Sequence, residues 1–412
     1  MRKIMACLDV GSDTVKLVVG EMFKKKLNVL AVAESSVKGI KNGLIEKPDV
    51  LLDSIKKVLK KCEDIIGIRI RQMIVCVPSN NTEFSVVSEN VKINSEGFVI
   101  DGKDISRAIN KVLKNNNNEA GYVTFVPISF SLDDNRIVKD PKGLTSKNMN
   151  VRGVLIKIPK RNINPILLCL NNLDIDVLDF SLDIIGNYYE MKEKDLDRKI
   201  GAVINLGAES STVGIFNKGV LTNSMVIDLG GKNIDNDISF VYKVPLVTAK
   251  ELKENFALAS SKMSQSSIVV DVEDKASNVI TINQYEISEV VKSRLEEIIG
   301  LCKKEINNLT KKEISYIIFT GGLSEIKDFN VLLDELFKSS AIIQDIKEIG
   351  VRDNKYSSCL GLIKYYAYDS RLKDKDFSIF SMEEQQLLSG NREGMNDGNN
   401  VIGKLFSYIF NG

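Results

Sequence analysis

The strongest constraint on this fold is an imperfect internal repeat. One copy, starting at Lys3, continues IMACLDVGSDTVKLVVGEMFKKKLNVLAVAES; the other, starting at Lys199, continues IGAVINLGAESSTVGIFNKGVLTNSMVIDLGG. Both read strand, tight turn, strand, turn, strand. In each, an apolar β-branched run ends on Asp or Asn, a Gly follows two residues later, then small hydroxyl residues and a second strand. Two such meanders predict duplicated α/β domains that face one another. The length agrees: 412 residues exceed one ordinary core, so two lobes of roughly 150 to 200 residues are expected.

Composition narrows the chemistry. Lys and Arg total 56 against 55 Asp and Glu, so no overall field attracts a polyanion, and nucleic acid is not an expected partner. The chain has no histidine, which excludes Ser-His-Asp and Cys-His catalysis and any imidazole zinc site. Six scattered cysteines without a CxxC pair read as buried thiols of a reducing compartment. Asp9 and Asp13 interrupt the apolar start that a signal peptide needs, and no apolar run of about 18 residues occurs, so neither export nor a membrane span is expected.

Between and after the repeats, PDVLLDSIKKVLKKCEDIIG has apolar residues at helical spacing up to Gly67, and RQMIVCVP reads as a buried strand stopped by Pro78. Residues 80–155 differ in character: polar-alternating strands surround the helix DISRAINKVLKN, which predicts an insertion into the first lobe. A long helix, ISEVVKSRLEEIIGLCKKEINNL, precedes SYIIFTGGLSEIKDFNVLLDELF, a buried strand, a Gly pair and a helix. SSCLGLIKYYAYDS is the last packed helix before a polar stretch, SGNREGMNDGNN, that cannot build a core.

The motifs suit phosphate. In LDVGSD, Asp9 ends a strand, Gly11 permits a tight turn, and the amides and Ser12 beyond it can face an anion, with Lys16 in reach. Asp-x-Gly alone is equally ordinary hairpin punctuation. NLGAESS at the equivalent place in the second repeat, and the glycine turn of FTGGLSE, change that balance. Three such turns match the arrangement of the actin and Hsp70 ATPases, in which paired hairpins straddle the phosphates and a Gly pair, here Gly321 and Gly322, admits the adenosine.

Within that superfamily the chain resembles the FtsA family over nearly its whole length. The resemblance is carried by KNGLIEKPDVLLDSIKKVLKKCEDIIG, by FSVVSENVKINSEGFVIDGKDISRAINKV and VPISFSLDDNRIVKDPKGLTSKNMNV, and most specifically by MVIDLGGKNIDNDISFVYKVPLVTAKELKENFALAS. It implies an actin-like fold divided into subdomain 1A at 1–79 and 156–198, an inserted subdomain 1C at 80–155, 2A at 199–231 and 301–370, and 2B at 232–300. A linker at 371–399 and an amphipathic helix at 400–412 would follow. It implies ATP and Mg2+ between the lobes, contacted by Asp9 (through water to the metal), Gly11, Ser12, Asp13, Lys16, Asn205, Gly207, Ala208, Ser210, Ser211, Gly230, Gly231, Glu251, Lys253, Gly321 and Gly322.

Two departures from the family pattern bear on turnover. Asn205 stands where relatives usually carry Asp, and Glu209 replaces a glycine beside the phosphates; a carboxylate about 4 Å from a phosphate costs on the order of 1 to 4 kcal/mol unless it turns away or pairs with a cation. The expectation is a nucleotide-binding scaffold, at most a weak ATPase. As a helix, NVIGKLFSYIFN would gather Val401, Ile402, Leu405, Phe406, Tyr408, Ile409 and Phe410 on one side. At roughly 18 Å it is too short to cross a bilayer and would lie in its surface. The resemblance further implies polymerisation on the cytoplasmic face of the membrane at the division septum, recruitment of FtsZ through its C-terminal peptide, and contacts with later division proteins. The alternatives are an adaptor resembling the pilus protein PilM, and an ATP-hydrolysing phosphotransferase or chaperone of the same fold.

Overall fold

The computed structural model describes residues 3–41, 43–116, 121–192, 195–338, 340–375, 378–381 and 384. The predicted membrane helix, and with it Val401, Ile402, Leu405, Phe406, Ile409 and Phe410, lies outside the described residues.

The first repeat forms β1 (Lys3–Val10), β2 (Thr14–Phe23) and β3 (Lys26–Ser36), followed by the short pair β4 (Ile40–Lys41) and β5 (Leu44–Ile45). Helix α1 (Pro48–Ile66) begins with Pro in its first turn and ends where Gly67 turns left-handed, as the sequence spacing requires. It leads to β6 (Gln72–Val77). The insertion comprises β7 (Glu83–Lys92), α2 (Gly102–Asn116), β8 (Gly121–Leu132), β9 (Ile137–Val138) and β10 (Asn148–Pro159). The chain then returns through α3 (Lys160–Asn171), β11 (Asp176–Leu182) and α4 (Asp183–Met191).

The second repeat forms β12 (Ile200–Leu206), β13 (Ser211–Asn217) and β14 (Val220–Ile227). After it come α5 (Gly231–Tyr242), α6 (Leu246–Asn255), the hairpin β15 (Val269–Glu273) and β16 (Val279–Asn283), and α7 (Gln284–Leu309). The chain ends its described course through β17 (Tyr316–Thr320), α8 (Phe329–Phe337), β18 (Ala341–Ile343) and α9 (Ser357–Leu372).

The two lobes repeat one topology. The first sheet runs β11-β6-β1-β2-β3 and the second β14-β13-β12-β17-β18. In both, an antiparallel meander is extended on the side of its first strand by two parallel strands. Alternation divides the second sheet between two cores. Val203 and Ile318 face the core that holds α4 and α9, whereas Ala202, Ile204 and Phe319 face the core under α7 and α8. The insertion is a separate four-stranded sheet, β7-β10-β8-β9, whose core is closed by Ile105, Ala108, Ile109 and Val112 of α2.

The lobes meet where α4 crosses α9. A Cβ placed on Gly361 would lie 1.7 Å from the Gly186 carbonyl oxygen, so the two helix backbones touch there and neither position admits a side chain. Asn187 of α4 accepts from the Ser358 hydroxyl at 2.9 Å, and Tyr188 stacks on Phe216 of β13 with ring centroids 4.1 Å apart.

Two local readings are corrected. The segment after Gly322 is not one helix: a 3-10 turn at Gly322–Glu325 is broken by Asp328, whose φ of 61° starts α8 afresh. Ile379 and Phe380, which fall in the expected linker, pack into the first core, and the Ile379 amide donates to the Ile4 carbonyl at 2.9 Å. Two apolar residues suffice to dock a stretch whose overall composition reads as polar. Among the described residues no helix is long and apolar enough to cross a membrane.

Candidate functional site

The turns at the ends of β1 and β12 face each other across a cleft of about 490 Å3. Their backbones match: the Gly11 amide donates to the Thr14 carbonyl at 3.1 Å, and the Gly207 amide to the Ser210 carbonyl at 3.0 Å. Their side chains do not. Asp9 is the ladder partner of Lys16, which donates to it at 3.1 Å. Burial alone would lower the Lys16 ammonium, but the Asp9 carboxylate holds it above its ordinary value. At the same places in the second repeat stand Asn205 and Thr212. Both turn to Asp183, the first residue of α4 just past β11: Asn205 donates to it at 3.1 Å and Thr212 at 3.5 Å, and Ser79 and the Ile184 amide donate at 3.1 and 2.8 Å. Burial pushes the Asp183 carboxyl up to about 6 despite those donors.

The third turn completes the floor. Gly321 has φ 90°, and a Cβ on it would meet Asn205 Oδ1 at 2.4 Å and the Leu206 carbonyl at 2.5 Å. Only glycine lets the end of β17 lie against the second turn. The first amides of α5 are bound into that same turn: Gly231 donates to the Gly207 carbonyl at 3.0 Å and Lys232 to the Ala208 carbonyl at 2.7 Å.

Four lysines besides Lys16 enter the cleft, each on a carboxylate. Lys232 lies 2.8 Å from Glu209 and 3.5 Å from Asp13, and it donates to the Ser12 carbonyl at 3.3 Å. Lys250 donates to Asp13 at 2.8 Å. Burial would raise the Asp13 carboxyl, but Lys250 and Lys232 hold it below the usual range. Lys253, buried, pairs with Asp235 at 2.7 Å and donates to the Gly231 carbonyl at 3.2 Å; burial still keeps Asp235 above the usual carboxylate value. Lys355 bridges Glu34 and Asp353 at 3.0 and 3.3 Å, and the Tyr356 hydroxyl donates to Glu34 at 3.2 Å.

Of the residues singled out from sequence, Asp9, Gly11, Ser12, Asp13, Lys16, Asn205, Gly207, Ala208, Ser210, Gly231, Lys253, Gly321 and Gly322 line this cleft. Three do not. Ser211 is buried, its hydroxyl donating to the Leu229 carbonyl at 2.8 Å; Gly230 packs behind the second turn; and Glu251 is exposed on α6, where Glu254, one helical turn on, lines the cleft instead. Asp183, Lys232, Asp235 and Lys250 were not anticipated. Asp183 carried a signal, a strand-end carboxylate placed like Asp9, and Lys250 lay inside the AKELK segment already marked.

Magnesium finds few donors here. Among the described residues no group of three or more Asp, Glu, Cys or His is placed to hold a metal. Asp9 is engaged by Lys16, and Asn205, whose amide nitrogen donates to Asp183, could offer only a neutral carbonyl oxygen. That set fits only an ion that keeps its water and takes its inner ligands from phosphates.

Residues 202–361 match the family described as cell division protein FtsA, and residues 79–157 match the SHS2 domain inserted in FtsA; together these stretches cover more than half of the chain. The chain belongs to the FtsA family. Relatives include the FtsA of Bacillus subtilis, 26% identical over 389 residues with 93% of this chain and 88% of that one covered. The FtsA of Staphylococcus epidermidis is 27% identical over 396 residues, covering 92% and 82%. Solved structures place the fold among the actin-like ATPases. A PilM-PilN type IV pilus biogenesis complex matches with TM-score 0.57 at 15% identity, covering 87% of this chain and 97% of that one. MreB5 of Spiroplasma citri bound to ADP matches with TM-score 0.55 at 12% identity, covering 90% and 99%. The chain is thus an actin-like cell division protein carrying the family's inserted domain.

Proposed function

We propose that this FtsA-family chain is a nucleotide-binding division scaffold that takes ATP between its lobes, self-associates, and links FtsZ filaments to the membrane. One observation carries the nucleotide reading: two backbone-matched glycine turns, from topologically equivalent strands, face each other across a lysine-rich cleft. The solved MreB5 structures of this fold hold ADP or AMPPNP, which supports it. Magnesium would arrive with the phosphates, held through water by Asp9.

ATP serves mainly as a conformational ligand in this reading, because Asp9, Asp13 and Glu209 at the turns, and Asp183 beside them, already have partners. Exposed Phe240, Leu246 and Val247 around the α5–α6 corner leave an apolar surface that suits a protein contact, whether a second copy or the FtsZ peptide. The membrane role rests on the sequence from Val401 to Phe410, whose single short helix would bind weakly alone and strongly when polymerisation multiplies anchors.

The deciding experiment is titration calorimetry of ATP and ADP into purified protein, with phosphate release followed in the same samples. Micromolar binding with little release supports the scaffold; absence of binding defeats the nucleotide reading. Deleting Val401–Gly412 is expected to abolish sedimentation with anionic liposomes, and unchanged sedimentation would remove the membrane role.

A further inference from the structure

Asp13 and Glu209 occupy the same place in the two repeats, each two residues after the turn glycine. Both reach one ammonium. Lys232, at the start of α5 in the second lobe, lies 2.8 Å from Glu209 of its own lobe, 3.5 Å from Asp13 of the other, and donates to the Ser12 carbonyl at 3.3 Å. Lys250 adds a second cross-cleft pair to Asp13 at 2.8 Å. The turns that would receive phosphate are therefore tied together by the protein's own ions. Two carboxylates against two ammoniums leave this group neutral, so an incoming polyphosphate meets no unpaired positive charge there.

We propose that Asp13, Glu209 and Lys232, supported by Lys250, form a ligand-replaceable latch that closes the cleft without nucleotide and that a polyphosphate opens by drawing both lysines onto its own oxygens. Glu209 thereby acts as an internal competitor: it occupies the cation that the phosphates need. This rests on the nucleotide reading above and adds its regulation. Because the competition is for phosphate charge, its effect grows with phosphate number and vanishes for adenosine.

The test uses the full-length chain, with ATP, ADP and adenosine titrated into wild type and the Glu209→Gln, Asp13→Asn and Lys232→Gln variants, while small-angle scattering follows the ligand-free proteins. Glu209→Gln is expected to bind ATP at least tenfold tighter, ADP by less and adenosine unchanged, and Lys232→Gln to bind ATP at least tenfold more weakly. Ligand-free Asp13→Asn is expected to show a larger radius of gyration than wild type. Equal ATP affinity in wild type and Glu209→Gln, with unchanged scattering, overturns the latch and leaves the nucleotide reading standing. No binding by any variant overturns the nucleotide reading, and scattering then decides closure alone: expansion of Asp13→Asn keeps it, and an unchanged radius overturns it.

Discussion

The two glycine turns share a backbone and differ in chemistry. The first balances its carboxylate locally, because Lys16 sits on the neighbouring strand in register with Asp9. The second holds neutral Asn205 and Thr212 in those positions and hydrogen-bonds to an acid brought from the other lobe, Asp183. Duplicated topology has thus been used for two tasks at the strand ends: Asp9 is balanced within its own hairpin, and Asn205 and Thr212 depend on an acid from the other lobe.

The sharpest way to break this comparison is to remove the partner at the equivalent position in each ladder. Lys16→Met leaves Asp9 without its cation at the buried end of the cleft and is expected to cost about 3 to 5 kcal/mol in urea unfolding. Thr212→Val, which deletes one long hydrogen bond, is expected to cost only about 1 kcal/mol. Adding Asp9→Asn to Lys16→Met is expected to restore most of the first loss. Equal costs at the two positions would refute the asymmetry.

The dependence of the second turn on Asp183 has a pH signature. The carboxyl stands at about 6 in the folded protein against 3.8 ordinarily, so the native state holds this proton more tightly than the unfolded chain. Its contribution to stability is complete below about pH 4 and is lost as pH rises to about 6, a fall of up to about 3 kcal/mol. Urea unfolding across that range should show a fall larger by up to about 3 kcal/mol in the wild type than in Asp183→Asn, where the raised carboxyls of Asp179 and Glu190 still contribute.

Asn205→Asp places a second carboxylate where the amide now donates to Asp183 at 3.1 Å. A cost of about 2 kcal/mol at pH 8 is expected, largely relieved at pH 5, where the acid pair shares a proton. A neutral outcome at both values would mean that the second turn tolerates the first turn's carboxylate. The smallest effect should come from Glu34→Gln at the cleft rim, below about 1 kcal/mol, because the Lys355 pair there is solvated.

Much of this was legible in the chain itself. The repeat, α1 between Pro48 and Gly67, β6 ending before Pro78, and the three glycine turns are local patterns, set by strand and helix periodicity and by backbone positions that few residues tolerate. Local chemistry also showed that Glu209 needs a cation or another direction. Which cation it takes was not legible, because Lys232 is brought to it by the way α5 abuts the second turn. The role of Asp183 was hidden for the same reason: its donors converge from two distant stretches of chain, Ser79 after β6 and Asn205 with Thr212 in the β12–β13 hairpin.

The misplacement of Glu251 shows the limit within one helix. The marked AKELK segment did enter the site, but helical phase relative to the cleft put Lys250, Lys253 and the exposed Glu254 along its lining and left Glu251 out of it. The sequence alone thus determined the elements and the backbone turns, since those follow from short-range sterics and periodicity. Tertiary structure alone decided which charges meet, since an ion pair depends on a few ångströms between strands and helices far apart in the chain.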